Sequence, residues 1–214
     1  MTSNISLIEG VSDLPYLLSI PPTDELQPLF PLICFLHGYD EGPPTEIKTG
    51  ICRHGVFSPR ASPLTSHFIC IAPQLPKKGD HWNKHAESVK CIIEHVHQHN
   101  NGNPNQTYLT GFSFGANGVF DISLRFPNFF AAIWPVDPTR VPHSDPEVPI
   151  WLSSGEISRC KESAFIAKLK FIKFHEKVTG ERILVDYNQN HVDTATRAYA
   201  DDRIYSWLLQ YQLH

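Results

Sequence analysis

The chain has 214 residues, 41% hydrophobic and 11% aromatic, enough for one sizeable core, and no shift in composition divides it. A net charge of −4 gives no electrostatic case for nucleic acid or an anionic membrane surface as a partner. No run approaches the ~18 consecutive apolar residues of a membrane span, and Met1-Thr2-Ser3-Asn4 opens without the basic and apolar regions of a secretory leader.

In chain order, Leu14–Ile20 reads as a strand ended by Pro21-Pro22, and Pro28–Leu36 is an almost continuous apolar run, as in a strand covered on both faces. It delivers the polar loop His37-Gly38-Tyr39-Asp40-Glu41-Gly42. Residues 43–66 are irregular, with a short helix before Gly55. His67–Ala72 is a second covered strand, stopped by Pro73. A loop with Lys77, Lys78, Asp80 and Trp82 follows. Asn83–Asn100 is then a helix with Ala86, Val89, Ile92, Ile93 and Val96 in one stripe, closed by Asn100-Asn101-Gly102.

Thr107–Thr110 is β-rich and runs into Gly111-Phe112-Ser113-Phe114-Gly115, after which Val119, Phe120 and Leu124 have helical spacing up to Arg125. Phe129–Val136 and Val148–Ser153 are further strands, delivering Asp137-Pro138 and Ser154-Gly155-Glu156. Lys161–Lys177 is helical, and Glu181–Tyr187 alternates as a strand before a loop containing His191. A last helix, Thr196–Tyr211, buries Ala200, Ile204, Trp207, Leu208 and Tyr211. Strands alternating with helices predict an α/β fold, a mostly parallel central sheet with helices on both faces, in a single domain over residues 1–214.

The five cysteines (Cys34, Cys52, Cys70, Cys91, Cys160) form no C-x-x-C pair, so neither zinc nor redox chemistry is expected, and a reduced, cytoplasmic compartment fits best. His95, His97 and His99 cluster late in a helix without a carboxylate or thiol to complete a tetrahedral set, so no metal is expected. No glycine-rich phosphate loop follows the first strand, which argues against a nucleotide-binding fold and any cofactor.

Gly111–Gly115 is G-x-S-x-G with a strand before it and a helix after it, the context of a nucleophile elbow. A glycine turn with a capping serine would give the same letters; the flanking elements favour the elbow. There Ser113 is held exposed and strained, and the helix that follows aims free N–H groups at a developing anion. In parallel sheets, chemistry gathers at the carboxyl ends of strands, where His37-Gly38-Tyr39, Ser113, Asp137 and His191 all fall.

The order Ser, acid, His resembles the α/β-hydrolase arrangement. The segments Leu36-His37-Gly38, Ala72-Pro73-Gln74, Gly111–Gly115, His191 and Trp207-Leu208-Leu209 are similar to those of small esterases, including predicted peptidase-type and polyhydroxybutyrate-depolymerase-like members. The resemblance implies an α/β-hydrolase fold with little or no lid. It also implies a serine hydrolase cleaving small carboxylic esters, with Ser113 as nucleophile and His191 as general base; His175 and His143 are weaker candidates. Relatives place an aspartate where this chain has Ser158. The acid then comes from elsewhere or is missing: Asp137 follows the preceding strand in Val136-Asp137-Pro138, similar to the D-P setting of the acid in lipases of the pancreatic type, and is the expected acid, with Glu156 as the alternative. Backbone N–H groups of Phe114 and Tyr39 are the expected oxyanion donors, and His37 and Trp82 are assigned to the substrate pocket. Thioesterase, peptidase and depolymerase activities would use the same residues, and a non-catalytic binding protein of this fold is the alternative of a different class.

Overall fold

The computed structural model describes residues 5–22, 29–140, 142–155, 182–186 and 189–214. Among the described residues, eight strands form one sheet in the order β1-β2-β4-β3-β5-β6-β7-β8. They are β1 (Ser6–Ile8), β2 (Tyr16–Ser19), β3 (Phe30–Leu36), β4 (Ile69–Pro73), β5 (Gly102–Phe112), β6 (Ala132–Val136), β7 (Ile150–Ser154) and β8 (Arg182–Asp186). The ladders from β4 through β8 are parallel; β1 and β2 add antiparallel at one edge. β1 has no apolar run to announce it; it exists by pairing Ser6–Ile8 with Tyr16–Leu18.

Alternation along each covered strand feeds two cores. Leu32, Cys34 and Leu36 of β3 join Leu109 of β5 on one face, under helices α2 (Ala86–His99) and α3 (Phe114–Arg125). Ile33 and Phe35 join Tyr108 and Trp134 on the other, under α1 (Ile47–Ile51), α4 (His191–Tyr199) and α5 (Asp202–Leu208). Side chains this fully buried contribute about 1.5–3 kcal/mol each for Val, Leu, Ile or Phe, which explains why both apolar faces of β3 are needed.

Several boundaries differ from expectation. His67 ends a 3-10 turn, Pro63–His67, instead of opening β4. The turn Trp82–His85 precedes α2, so the regular helix begins at Ala86. In α3 the inward place expected for Leu124 is taken by Ile122. The single final helix is two, because Asp201 caps a new start by accepting the Arg203 N–H; Ala200 is consequently exposed at the break. The helix expected over Lys161–Lys177 lies outside the described residues. No helix among the described residues is long and apolar enough to cross a membrane.

Candidate active site

Register brings the site together. Phe112 of β5 pairs with Val136 of β6, and Val136 pairs with Ser153 of β7. Ser113 and Asp137 therefore leave neighbouring strands at the same level, with the Ser113 N–H donating to Val136 O (3.0 Å) and the Asp137 N–H to Ser153 O (2.7 Å).

Ser113 has φ 59° and ψ −114°, a conformation that L-residues occupy only when their surroundings impose it. The imposition is steric. A Cβ on Gly115 would stand 1.8 Å from Leu36 O, and one on Gly111 would stand 2.6 Å from Gly115 carbonyl atoms. Both glycines are needed because the elbow is pressed onto the end of β3 and onto itself.

His191 enters from α4. Asn190 caps that helix, its side chain accepting the Asp193 N–H and donating to the Asp193 carboxylate at 2.6 Å. His191 is thus the first helical residue, not a member of the expected loop. Its Nε2 lies 2.9 Å from Ser113 Oγ and its Nδ1 lies 2.5 Å from Asp137 Oδ2. The imidazole packs on Phe112, ring centroids 4.6 Å apart. Asp137 is fully buried at φ 47°, a region aspartate tolerates, and its Oδ1 accepts the Gly155 N–H at 3.1 Å. A carboxylate accepting from both an imidazole and a backbone amide fixes the ring with Nδ1 protonated and Nε2 free to accept from serine.

Phe114 and Tyr39 are the first residues of α3 and of a 3-10 turn, Tyr39–Glu41, so their N–H groups have no intrahelical partner. Gly38, one residue earlier, sits against the elbow: its Cβ position would be 3.6 Å from Ser113 Cβ.

His37 and Trp82, expected in the substrate pocket, are 1% and 2% exposed. His37 accepts the Leu75 N–H at Nε2 (3.0 Å) and donates from Nδ1 to Gly38 O (2.7 Å), while Trp82 Nε1 donates to His37 O (3.1 Å). Burial lowers His37 to about 4, keeping it neutral. The two brace the loop from behind. Tyr39, by contrast, is exposed, in edge contact with Phe114, on which His81 stacks. Glu156, the alternative acid, and His175 lie outside the described residues, and His143 is exposed on the β6–β7 connection.

Sequence reasoning missed Glu41, His54 and Asn117. Asn117 lies one turn after Ser113 and accepts the Thr139 and Arg140 N–H groups (3.0 and 3.2 Å), tying down the loop that follows Asp137. Helical spacing from the serine would have singled it out. A separate cavity of about 690 Å³ near Phe126, Phe130, Val148 and Leu213, at the opposite ends of β6 and β7, contains none of these residues.

No family model and no curated protein sequence matches the chain. Solved structures do. A thermostable esterase is 21% identical with a TM-score of 0.73, the match covering 98% of this chain and 63% of that one, so the chain spans under two thirds of it. A fluorophosphonate-binding serine hydrolase of Staphylococcus aureus is 12% identical with a TM-score of 0.66, over 98% of this chain and 99% of that one. An S-formylglutathione hydrolase of the same organism is 13% identical with a TM-score of 0.65, over 98% of both chains. At such identities the likeness is one of architecture, and with the sheet order and the placement of Ser113 it gives the conclusion that this chain has the α/β-hydrolase fold.

Proposed function

We propose that the chain is a serine hydrolase that cleaves carboxylic esters of small or exposed acyl groups through an acyl-enzyme on Ser113. The observation that carries the reading is the hydrogen-bonded series Ser113–His191–Asp137 at the carboxyl ends of β5 and β6. His191 Nε2 takes the Ser113 proton as Oγ attacks the ester carbonyl, then returns it to the departing alkoxide. Water, activated by the same nitrogen, hydrolyses the acyl-enzyme. Asp137 holds the ring and stabilises the transient imidazolium, and the Phe114 and Tyr39 N–H groups receive the oxyanion. The structural neighbours, an esterase, a serine hydrolase and an S-formylglutathione hydrolase among them, favour this reading over a binding module.

Purified protein treated with a fluorophosphonate should gain the mass of one adduct, and Ser113→Ala should gain none. A folded wild type that stays unlabelled would refute the proposal.

A further inference from the structure

Glu41 is a buried carboxyl, 4% exposed, on the loop that supplies the Tyr39 N–H, and the hydrolytic steps make no use of it. One carboxylate oxygen, Oε2, accepts the Gly38 N–H. On the other side of Gly38, the His37 Nδ1–H donates to Gly38 O. That carbonyl belongs to the same planar unit as the Tyr39 N–H, which in a trans peptide points the opposite way. The two peptide planes flanking Gly38 are therefore each held by a buried side chain.

The clamp answers a problem set by the site. Gly38 lacks a Cβ where one would stand 3.2 Å from Glu41 Oε2 and 3.6 Å from Ser113 Cβ. A glycine turns readily about its two soft dihedrals, and a donor aimed at a transition state must not turn. Glu41 is itself held: Gln74 Nε2 donates to Glu41 O (2.8 Å) and to Thr45 O (3.1 Å), and Gly50 of α1 packs where a Cβ would meet Glu41 O at 2.5 Å.

We propose that Glu41 is a positioning residue for ester hydrolysis, its ionised carboxylate fixing Gly38 so that the Tyr39 N–H faces the oxyanion. The inference rests on the hydrolase reading above. The groups facing the carboxylate are His54, whose Nε2 is 3.7 Å from Oε1, together with Arg53, Asp40 and Tyr199. Burial raises Glu41 to about 7; the Gly38 N–H and Arg53 pull against that, and Asp40 adds to it. Burial lowers His54, and the neighbouring Arg53 and His191 add to that. Protonating Glu41 weakens its hold on Gly38, so activity acquires a second ionisation on its acid limb, besides that of the general base.

The test combines NMR of the Gly38 amide from pH 5 to 8.5 with the pH profile of kcat/KM in wild type, Glu41→Gln and Glu41→Ala. The Gly38 amide proton should titrate near pH 7 in wild type and be flat in Glu41→Gln, whose amide oxygen still accepts the hydrogen bond. The acid limb of log kcat/KM should steepen beyond a slope of about 1 near pH 7 in wild type, over the roughly 10- to 100-fold that Glu41 contributes, and keep a slope of about 1 throughout in Glu41→Gln. Glu41→Ala should lower kcat by about 10- to 100-fold with KM little changed, short of the roughly 10²- to 10³-fold cost of losing an oxyanion donor outright. If the alanine variant fails to fold, the glutamine variant decides alone. A Gly38 amide that ignores pH in wild type, an unchanged slope in Glu41→Gln, or wild-type kcat in Glu41→Ala overturns the role of Glu41 while fluorophosphonate labelling leaves the hydrolase standing. Wild type that neither labels nor hydrolyses esters overturns both.

Discussion

Asp137→Asn isolates one requirement of the proposed chemistry, because the replacement changes hydrogen-bonding identity and almost nothing else. Asparagine occupies the same volume and accepts the left-handed backbone at φ 47° as readily as aspartate. The two Asp137 oxygens accept from the Gly155 N–H at 3.1 Å and the His191 Nδ1–H at 2.5 Å, and asparagine has one oxygen. The Gly155 amide cannot surrender its proton, so the oxygen goes to Gly155 and the NH₂ faces His191. The imidazole must then accept at Nδ1 and carry its proton on Nε2, where it can no longer take one from Ser113 Oγ. The expected loss is about 10⁴-fold in kcat, equivalent to about 5.5 kcal/mol of transition-state stabilisation. The assay is p-nitrophenyl acetate hydrolysis beside a urea melt, which should show the variant folded. Glu156→Gln should remain near wild type. An Asp137→Asn enzyme within tenfold of wild type, or a collapse in Glu156→Gln, would refute the assignment of the acid.

Three other outcomes follow from the geometry. Both Ser113→Ala and Ser113→Gly lose the serine hydroxyl, but only glycine relaxes the strained backbone; with about 1 kcal/mol of net relief, Ser113→Gly should melt ~2–4 °C above Ser113→Ala in calorimetry. Gly115→Ala drives a Cβ into Leu36 O, a backbone atom with nowhere to retreat, so its destabilisation in urea should reach or exceed the ~3 kcal/mol upper end of ordinary overpacking. Two buried groups give stability opposite pH dependences. Folded His37 titrates near 4 against an ordinary 6.5, so the unfolded chain binds the extra proton and stability falls as pH drops below 6.5, by about 2 kcal/mol at pH 5. Folded Glu41 titrates near 7 against an ordinary 4.5, so its contribution falls as pH rises between those values. Urea melts at pH 5, 6 and 7.5 should find the acid side flattened in His37→Asn and the neutral side flattened in Glu41→Gln; a variant with the wild-type profile would remove that group from the account.

Much of the architecture was legible in the chain, because apolar strands covered on both faces leave long runs such as Phe30–Leu36 and a helix packed on one face leaves the stripe from Ala86 to Val96. The elbow was legible for a related reason. Local sterics at Gly111, Ser113 and Gly115 depend on residue type and neighbours in sequence. Ser113, Asp137 and His191 could each be named from a strand end or a family pattern, but their meeting depends on register. Phe112 opposite Val136 sets Ser113 beside Asp137, and a helix cap 53 residues beyond Asp137 delivers the imidazole. Where an isolated side chain points was beyond the sequence. His37 and Trp82 look like pocket residues by position, yet both are buried, His37 bonded to the backbone of Leu75 and of its neighbour Gly38, and Trp82 to that of His37. Glu41 reads as one more charge on a polar loop. Only the packing of that loop against Gln74, Gly50 and the elbow removes it from water, and that burial separates a solvated surface carboxylate from one that holds a glycine in place.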